Sequence, residues 1–308
     1  MPTGKIMNVA VVGNEEMGIG IAQTFARGGI EVSLIGRSDD KLRRAMQRMK
    51  DNLGLFIEMG LMTEAESEKL LARVRPTTDM EAACRKAQYL TEAIPEIMAV
   101  KQDIFRKADR WCPEGAILAS CTSTLSIEEI ASATRRPERV VGTHWVKPAH
   151  IIELVEMIRS PQTSEETLAS TKALLESVGK VVATCRENAG HIHNAMQYAL
   201  SRVAFDLLDR GIATAEDIDR AARHGLGFRM TSLGPIERLN LGPLPGFKLN
   251  WESIDAQTGT LGPFPASVQK LIEQGQHGLK RFTDEEVRFQ TKERDRELVK
   301  NLRALGRL

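Results

Sequence analysis

Three things are scarce in this chain of 308 residues. Cysteine is the first. Cys84, Cys112, Cys121 and Cys185 lie far apart and no Cys-x-x-Cys pair occurs, so the spacing supports neither a zinc ribbon nor a disulfide framework. Long apolar runs are the second: the longest are strand-sized, so no transmembrane helix fits. Excess charge is the third. Forty-two Lys and Arg against 41 Asp and Glu leave a formal charge of +1, unlike the one-sided charge of chains that coat nucleic acid. Neither a membrane nor a nucleic acid is an expected partner. The start, Met1-Pro-Thr-Gly-Lys-Ile, enters a strand-like run at once and leaves no room for a signal peptide. The expectation is a reduced, soluble, cytoplasmic protein. What is present is apolar residue, 42% of the chain, enough for a packed core, and length enough for two domains.

Strand-like and helix-like segments alternate through the first half. Lys5–Val12, Glu31–Ile35, Gln88–Ala93, Ala116–Ser120, Arg139–Gly142, Ile151–Ile158 and Lys180–Cys185 read as strands. Gly18–Gly29, Asp39–Asn52, Glu96–Asp109 and Ser126–Ala133 read as helices, and Thr63 with Glu66 reads as a capping box opening another. Such alternation predicts a largely parallel sheet covered on both faces. After Cys185 the period changes. Ile192, Met196, Leu200, Val203, Leu207 and Leu208 recur at helical spacing within Asn188–Arg210, and Gly211 supplies a stop. Ala215–His224, Gly234–Leu241 and Thr283–Leu305 read as further helices, and Gly242–Pro265, rich in Gly and Pro, as an ordered loop or lid. The fold class expected is therefore an α/β domain, residues 1–186, followed by an all-α domain, residues 187–308.

The segment after the first strand, Gly13-Asn-Glu-Glu-Met-Gly18, has the setting of a Rossmann-like dinucleotide-binding turn. There the first glycine permits a tight bend, the second lets backbone approach a pyrophosphate, and the third lets helix pack on strand. Gly13 and Gly18 hold the first and third places, but Glu15 holds the second and Glu16 adds another carboxylate. Like charges about 4 Å apart repel by about 4 kcal/mol at an effective dielectric of 20, so the turn reads either as an altered nucleotide site or as one that has lost its cofactor. The second strand ends in Ile35-Gly36-Arg37-Ser38 without the acid that would bind a ribose 2′-hydroxyl. Arg37 could meet a 2′-phosphate instead, which leaves NAD and NADP both open.

Further along stand Thr91-Glu-Ala-Ile-Pro-Glu96 with Lys101, Ala119-Ser-Cys-Thr-Ser-Thr-Leu125, Gly142-Thr-His-Trp-Val-Lys-Pro148, Leu154-Val-Glu156 and Glu187-Asn-Ala-Gly-His-Ile-His-Asn194. In this order they resemble the motifs of the L-3-hydroxyacyl-CoA dehydrogenase family. The resemblance covers nearly the whole chain and leans toward the branch of gulonate dehydrogenase, lens crystallin and small hydroxy-acid dehydrogenases. It implies that His144 is a general base for a substrate hydroxyl, that Glu156 orients the imidazole, and that Ser123 and Asn194 hold the same oxygen. It also implies that Glu96 and Lys101 approach the nicotinamide ribose, that substrate lies between the domains, and that the helical domain forms a homodimer. Independently of the family, histidine titrates near neutrality and suits proton exchange during alcohol oxidation, and a carboxylate on the next strand can sit beside it in a parallel sheet.

The chain departs from the family pattern at Lys147 and Cys121, each in place of Asn, at Ala189-Gly190-His191 in place of Pro-Gly-Phe, and at Ala195 in place of Arg. Lys147 beside the base favours an anionic small-molecule substrate. His144, His150, His191 and His193 raise the question of zinc, but histidines two apart on a helix do not share a face, and no metal is expected. The leading expectation is an NAD(P)-dependent oxidoreductase that interconverts a 3-hydroxy acid, or its thioester, with the 3-oxo form. The rivals are a cofactor-independent proton-transfer or C–C cleavage enzyme using the same His144–Glu156 pair, and a non-catalytic protein of the same fold.

Overall fold

Strand β1, Asn8–Val12, sends Val9 and Val11 into one apolar cluster and Ala10 and Val12 into another. That two-residue alternation, apolar on both sides, marks a sheet with both faces covered. The computed structural model describes residues 5–276 and 282–308. After β1 come α1 (Glu16–Arg27), β2 (Glu31–Ile35), α2 (Asp39–Glu58), α3 (Glu64–Ala72), β3 (Val74–Thr77), α4 (Met80–Cys84), β4 (Tyr89–Glu92), α5 (Met98–Trp111), β5 (Ile117–Ser120), α6 (Ile127–Ala131), β6 (Val140–Trp145), β7 (Leu154–Arg159), α7 (Glu165–Ser177) and β8 (Val181–Arg186). The eight strands lie in the order β3-β2-β1-β4-β5-β6-β7-β8. All neighbours are parallel except β6 and β7. The first six follow the doubly wound order of a dinucleotide-binding fold, whose ligand crevice opens at the carboxyl ends of β1 and β4. An α/β Rossmann-like domain followed by helices is thus the architecture, as the alternation predicted.

Chain packing divides the molecule into Met1–Gln197 and Tyr198–Leu308. Helix α8 (His193–Asp209) crosses that division. The second unit continues with α9 (Ala215–Ala221), a π-helical turn at 222–227, α10 (Phe228–Met230), α11 (Leu244–Thr258), α12 (Ala266–Glu273) and α13 (Asp284–Ala304). Within it, Phe247, Trp251 and Phe264 cluster with ring centres about 6 Å apart, Trp251 edge to face with both phenylalanines. No helix among the described residues is long and apolar enough to cross a membrane.

Several expectations need correction. The Gly- and Pro-rich stretch 242–265 is not a loop or lid over most of its length, because α11 occupies it. Pro243 stands at the N-cap and Pro245 in the first turn, where a missing N–H costs nothing, and Gly259 ends the helix with φ 61°. The helix expected from Asn188 starts at His193, since Gly190 (φ 76°) and His191 (φ 51°) turn the backbone out of the right-handed region. Strand β6 runs on to Trp145, and β7 starts at Leu154 rather than Ile151. Strand β3 and helices α4, α7 and α12 were not anticipated. Strand β3 contains Pro76 and tolerates it at the sheet edge. Helix α7 buries Thr167 and Thr171 alongside Leu168, Leu174 and Leu175, so its apolar stripe is partly written in threonine.

Candidate functional site

The carboxyl ends of β4, β5 and β6 bring the site together. On β6, Val141 and Trp145 belong to one face of the sheet and Val140, Gly142 and His144 to the other. Strand β7 pairs antiparallel with β6, and His144 stands directly opposite Glu156. The expected parallel arrangement of this pair is thereby corrected. Antiparallel register places two side chains face to face across about 5 Å, which parallel strands joined by so short a connection cannot do. His144 Nδ1 lies 2.7 Å from Glu156 Oε2, with the imidazole 5% exposed and the carboxylate residue fully buried. A carboxylate only accepts, so Nδ1 carries the hydrogen and Nε2 presents its lone pair. The other oxygen, Glu156 Oε1, accepts the N–H groups of Ile192 and His193 at 2.8 Å each. Burial pushes the Glu156 carboxyl up, but the hydrogen bonds from His144, His193 and Ile192 outweigh it and hold the group below its ordinary range.

A second buried network lies at the ends of β4 and β5. Glu92, opposite Ser120 in the register, accepts from Lys101 Nζ at 2.6 Å, from Ile94 N–H at 2.7 Å and from Ser120 Oγ at 2.7 Å. Lys101 is fully buried on α5, donates also to Ile94 O at 3.2 Å, and forms an ion pair with Glu96 Oε2 at 3.2 Å. Enclosed in this way, it faces the outside of the network only through Glu96. Glu96 in turn accepts from Thr122 Oγ1 at 3.0 Å and from the Ser123 N–H. Ser123 is half-buried, and its hydroxyl has no hydrogen-bond partner among the described residues. Glu92, Ser120 and Thr122 were not singled out in the sequence. Only the strand register brings them to Lys101 and Glu96.

The glycine turn keeps its geometry despite Glu15. A Cβ on Gly13 (φ 123°) would stand 2.3 Å from Ala93 O, and one on Gly18 would stand 1.9 Å from Gly13 O. Both glycines are therefore required by close backbone approach. Glu15 precedes α1 without a side-chain cap bond, and the first bond of this turn runs from Ile19 N–H to Glu15 O. The N–H groups of the first turn are left uncapped, as an anion seat needs. The added acids are neutralised in place: Glu16 pairs with Lys147 at 2.7 Å, and Glu15 with Arg48 at 3.7 Å. Lys147 was expected beside the base as a substrate contact; its partner here is the cofactor turn. Arg37 is exposed, and Ser38 caps α2 through Lys41 N–H.

The four histidines weighed for zinc do not gather. His144 and His191 have ring centres 5.3 Å apart, His150 packs against Phe56, and His193 contributes a backbone N–H. No group of three His, Cys, Asp or Glu among the described residues is placed to hold a metal. Asn194 follows His193 on the first turn of α8 and is half-buried, with no side-chain hydrogen bond among the described residues.

Comparison with known proteins bears on this geometry. Residues 8–188 match the family model described as 3-hydroxyacyl-CoA dehydrogenase, NAD binding domain, and residues 190–285 match that of its C-terminal domain. A 3-hydroxybutyryl-CoA dehydrogenase of Mycobacterium tuberculosis is 33% identical over 89% of this chain and 96% of its own length. A 5-formyl-3-hydroxy-2-methylpyridine 4-carboxylate 5-dehydrogenase of Mesorhizobium japonicum is 29% identical over 96% of both. The crystal structure of a 3-hydroxyacyl-CoA dehydrogenase from Archaeoglobus fulgidus superposes with a TM-score of 0.81 at 28% identity, covering 98% of this chain and 100% of that one.

Proposed function

We propose, for a chain that belongs to the 3-hydroxyacyl-CoA dehydrogenase family, that it interconverts a 3-hydroxyacyl thioester or a small 3-hydroxy acid with the 3-oxo form, using a nicotinamide dinucleotide. The observation that carries this reading is the buried His144–Glu156 pair at the carboxyl end of the sheet, on the same fold as an intact Gly13–Gly18 turn. The backbone approaches at Gly13 and Gly18 and the uncapped start of α1 fit a pyrophosphate. NAD, when bound, supplies the hydride acceptor. The roles of the protein's own residues follow from their hydrogen-bonding capacity. His144 Nε2 takes the proton of the substrate hydroxyl as the C–H hydride leaves. Glu156 holds Nδ1–H and stabilises the imidazolium that results. Ser123 Oγ, without a partner among the described residues, and Asn194 hold the substrate oxygen. Glu96 fixes the Ser123 loop and faces the ribose with Lys101 behind it.

Lys147, paired with Glu16, acts as counter-ion of the acidic turn rather than as the anchor of an anionic substrate. The family model speaks for NAD; Arg37, exposed where the second strand ends, leaves room for NADP. The second unit exposes Tyr198 (69%), Phe205 (64%) and Ile212 along and just after α8, which supports a homodimer through the helical part. Fluorescence titration with NADH and NADPH, followed by turnover of acetoacetyl-CoA against free acetoacetate, tests the reading. Absence of binding by either nucleotide, or turnover without one, would overturn it.

A further inference from the structure

His191 is 4% exposed, has φ 51°, and lies with its ring centre 5.3 Å from that of His144, the planes inclined by 53°. Its Nε2 is 3.2 Å from Thr122 O. A carbonyl only accepts, so Nε2 carries the hydrogen, and Nδ1 is left as a buried lone pair without a partner among the described residues. The segment bearing it is pinned on both sides. Glu187 accepts from Ser126 Oγ at 3.0 Å and from Glu128 N–H at 2.7 Å, and Ile192 and His193 donate to Glu156. His191 N–H itself donates to Asn188 O at 2.9 Å. One side chain therefore touches the loop that presents Ser123 and the ring of the base, while its backbone delivers the two donors of Glu156.

We propose that His191 is a positioning residue: through the bond of its neutral side chain to Thr122 O and its contact with the His144 ring, it holds the Ser123 loop and the base in register. This rests on the reading of His144 as the base. The groups facing His191 are His144 on β6, Glu156 on β7, Glu96 before α5 and the Thr122 carbonyl after β5. Protonation would create an Nδ1–H with no acceptor among the described residues. Burial, joined by the charge of His144, pushes the His191 imidazole down against the opposing pull of Thr122 O, Glu156 and Glu96. The neutral side chain with its hydrogen on Nε2 is thus the favoured form.

The side chain's donor and its ring can be removed separately. With acetoacetyl-CoA and NADH, His191→Gln keeps a donor for Thr122 O and is expected to retain more of the neutral-pH kcat than His191→Phe. His191→Phe keeps the ring and loses the tether, with kcat down by about tenfold or more and KM little changed. A His191→Gln enzyme no more active than His191→Phe, or a His191→Phe enzyme equal to wild type, overturns the proposal. Should either variant unfold, nitrogen-15 histidine NMR of the wild-type chain decides the point. The neutral Nε2–H tautomer of His191 is expected, and the Nδ1–H tautomer overturns it. A wild-type chain without turnover removes the dehydrogenase reading instead, and the same spectra still report the tether.

Discussion

Glu156 serves three donors with two oxygens, and this makes it the sharpest single-residue test. In Glu156→Gln the amide oxygen can still accept from Ile192 and His193, but the amide nitrogen faces His144 with a donor. The imidazole then shifts its hydrogen to Nε2 and ceases to be a base. The expected result is a fall in kcat for 3-hydroxybutyryl-CoA oxidation of about 10²–10⁴-fold with little change in KM, read by steady-state kinetics. The same group gives a stability prediction with a definite sign. Its carboxyl pKa is lowered in the folded chain, so its contribution is present above the unfolded value, about 4.3, and is lost as pH falls through the folded one. Urea unfolding of wild type and Glu156→Gln should therefore differ most near neutrality and converge in acid. Lys147 offers a third test. Lys147→Met should weaken NADH binding about three- to tenfold by leaving Glu16 unneutralised, and the same change should matter less in a Glu16→Gln background; equal losses in both backgrounds would sink the counter-ion role. At this scale His144, Glu156, Ser123, Glu96 and Lys101 were legible as candidates because their types and order resemble the family's motifs. His191 was legible only as a departure. Its left-handed backbone and its place beside His144 depend on a fold that local pattern does not encode.

At the scale of elements, the turn between β1 and α1 is the piece least tolerant of change. Gly18→Ala would press its methyl onto Gly13 O, a backbone atom with no side chain to yield. Overpacking of about 1–3 kcal/mol is expected, visible as a lowered melting temperature together with lost NADH binding. The same scale shows why some elements escaped the sequence reading. Composition alone turned 242–265 into a loop, whereas the position of each proline and glycine relative to the helix ends makes α11. Threonines filled places in the buried face of α7 that a purely apolar stripe would have shown. The reversal of β7 was within reach: residues 146–153 separate the two strands, and a parallel crossover needs a dozen or more. Counting that connection turns the His144–Glu156 pairing from coincidence into geometry.

For the whole molecule, the alternation of strands and helices and the change from α/β to helical were readable from periodicity, since each buried strand and amphipathic helix writes its own period. The division of chain packing at Gln197 was not, because α8 runs through it without a break in pattern. The exposed Tyr198, Leu200, Phe205 and Leu208 on α8 argue that the functional particle is larger than one chain. Sedimentation equilibrium is expected to give twice the 34.1 kDa chain mass. Phe205→Glu should shift that mass toward a single chain, with the secondary structure seen by circular dichroism retained.

The clamp of Ile192 and His193 on Glu156 has a use beyond its part in the site. Two amide protons are shielded from solvent by the charge of one carboxylate, so their exchange with deuterium becomes a meter for that charge. In the resting protein both should exchange slowly, and they should speed up together as acid neutralises Glu156, against the general slowing of amide exchange in that range. The ionisation of a buried acid could then be followed in the silent enzyme, without substrate, nucleotide or turnover.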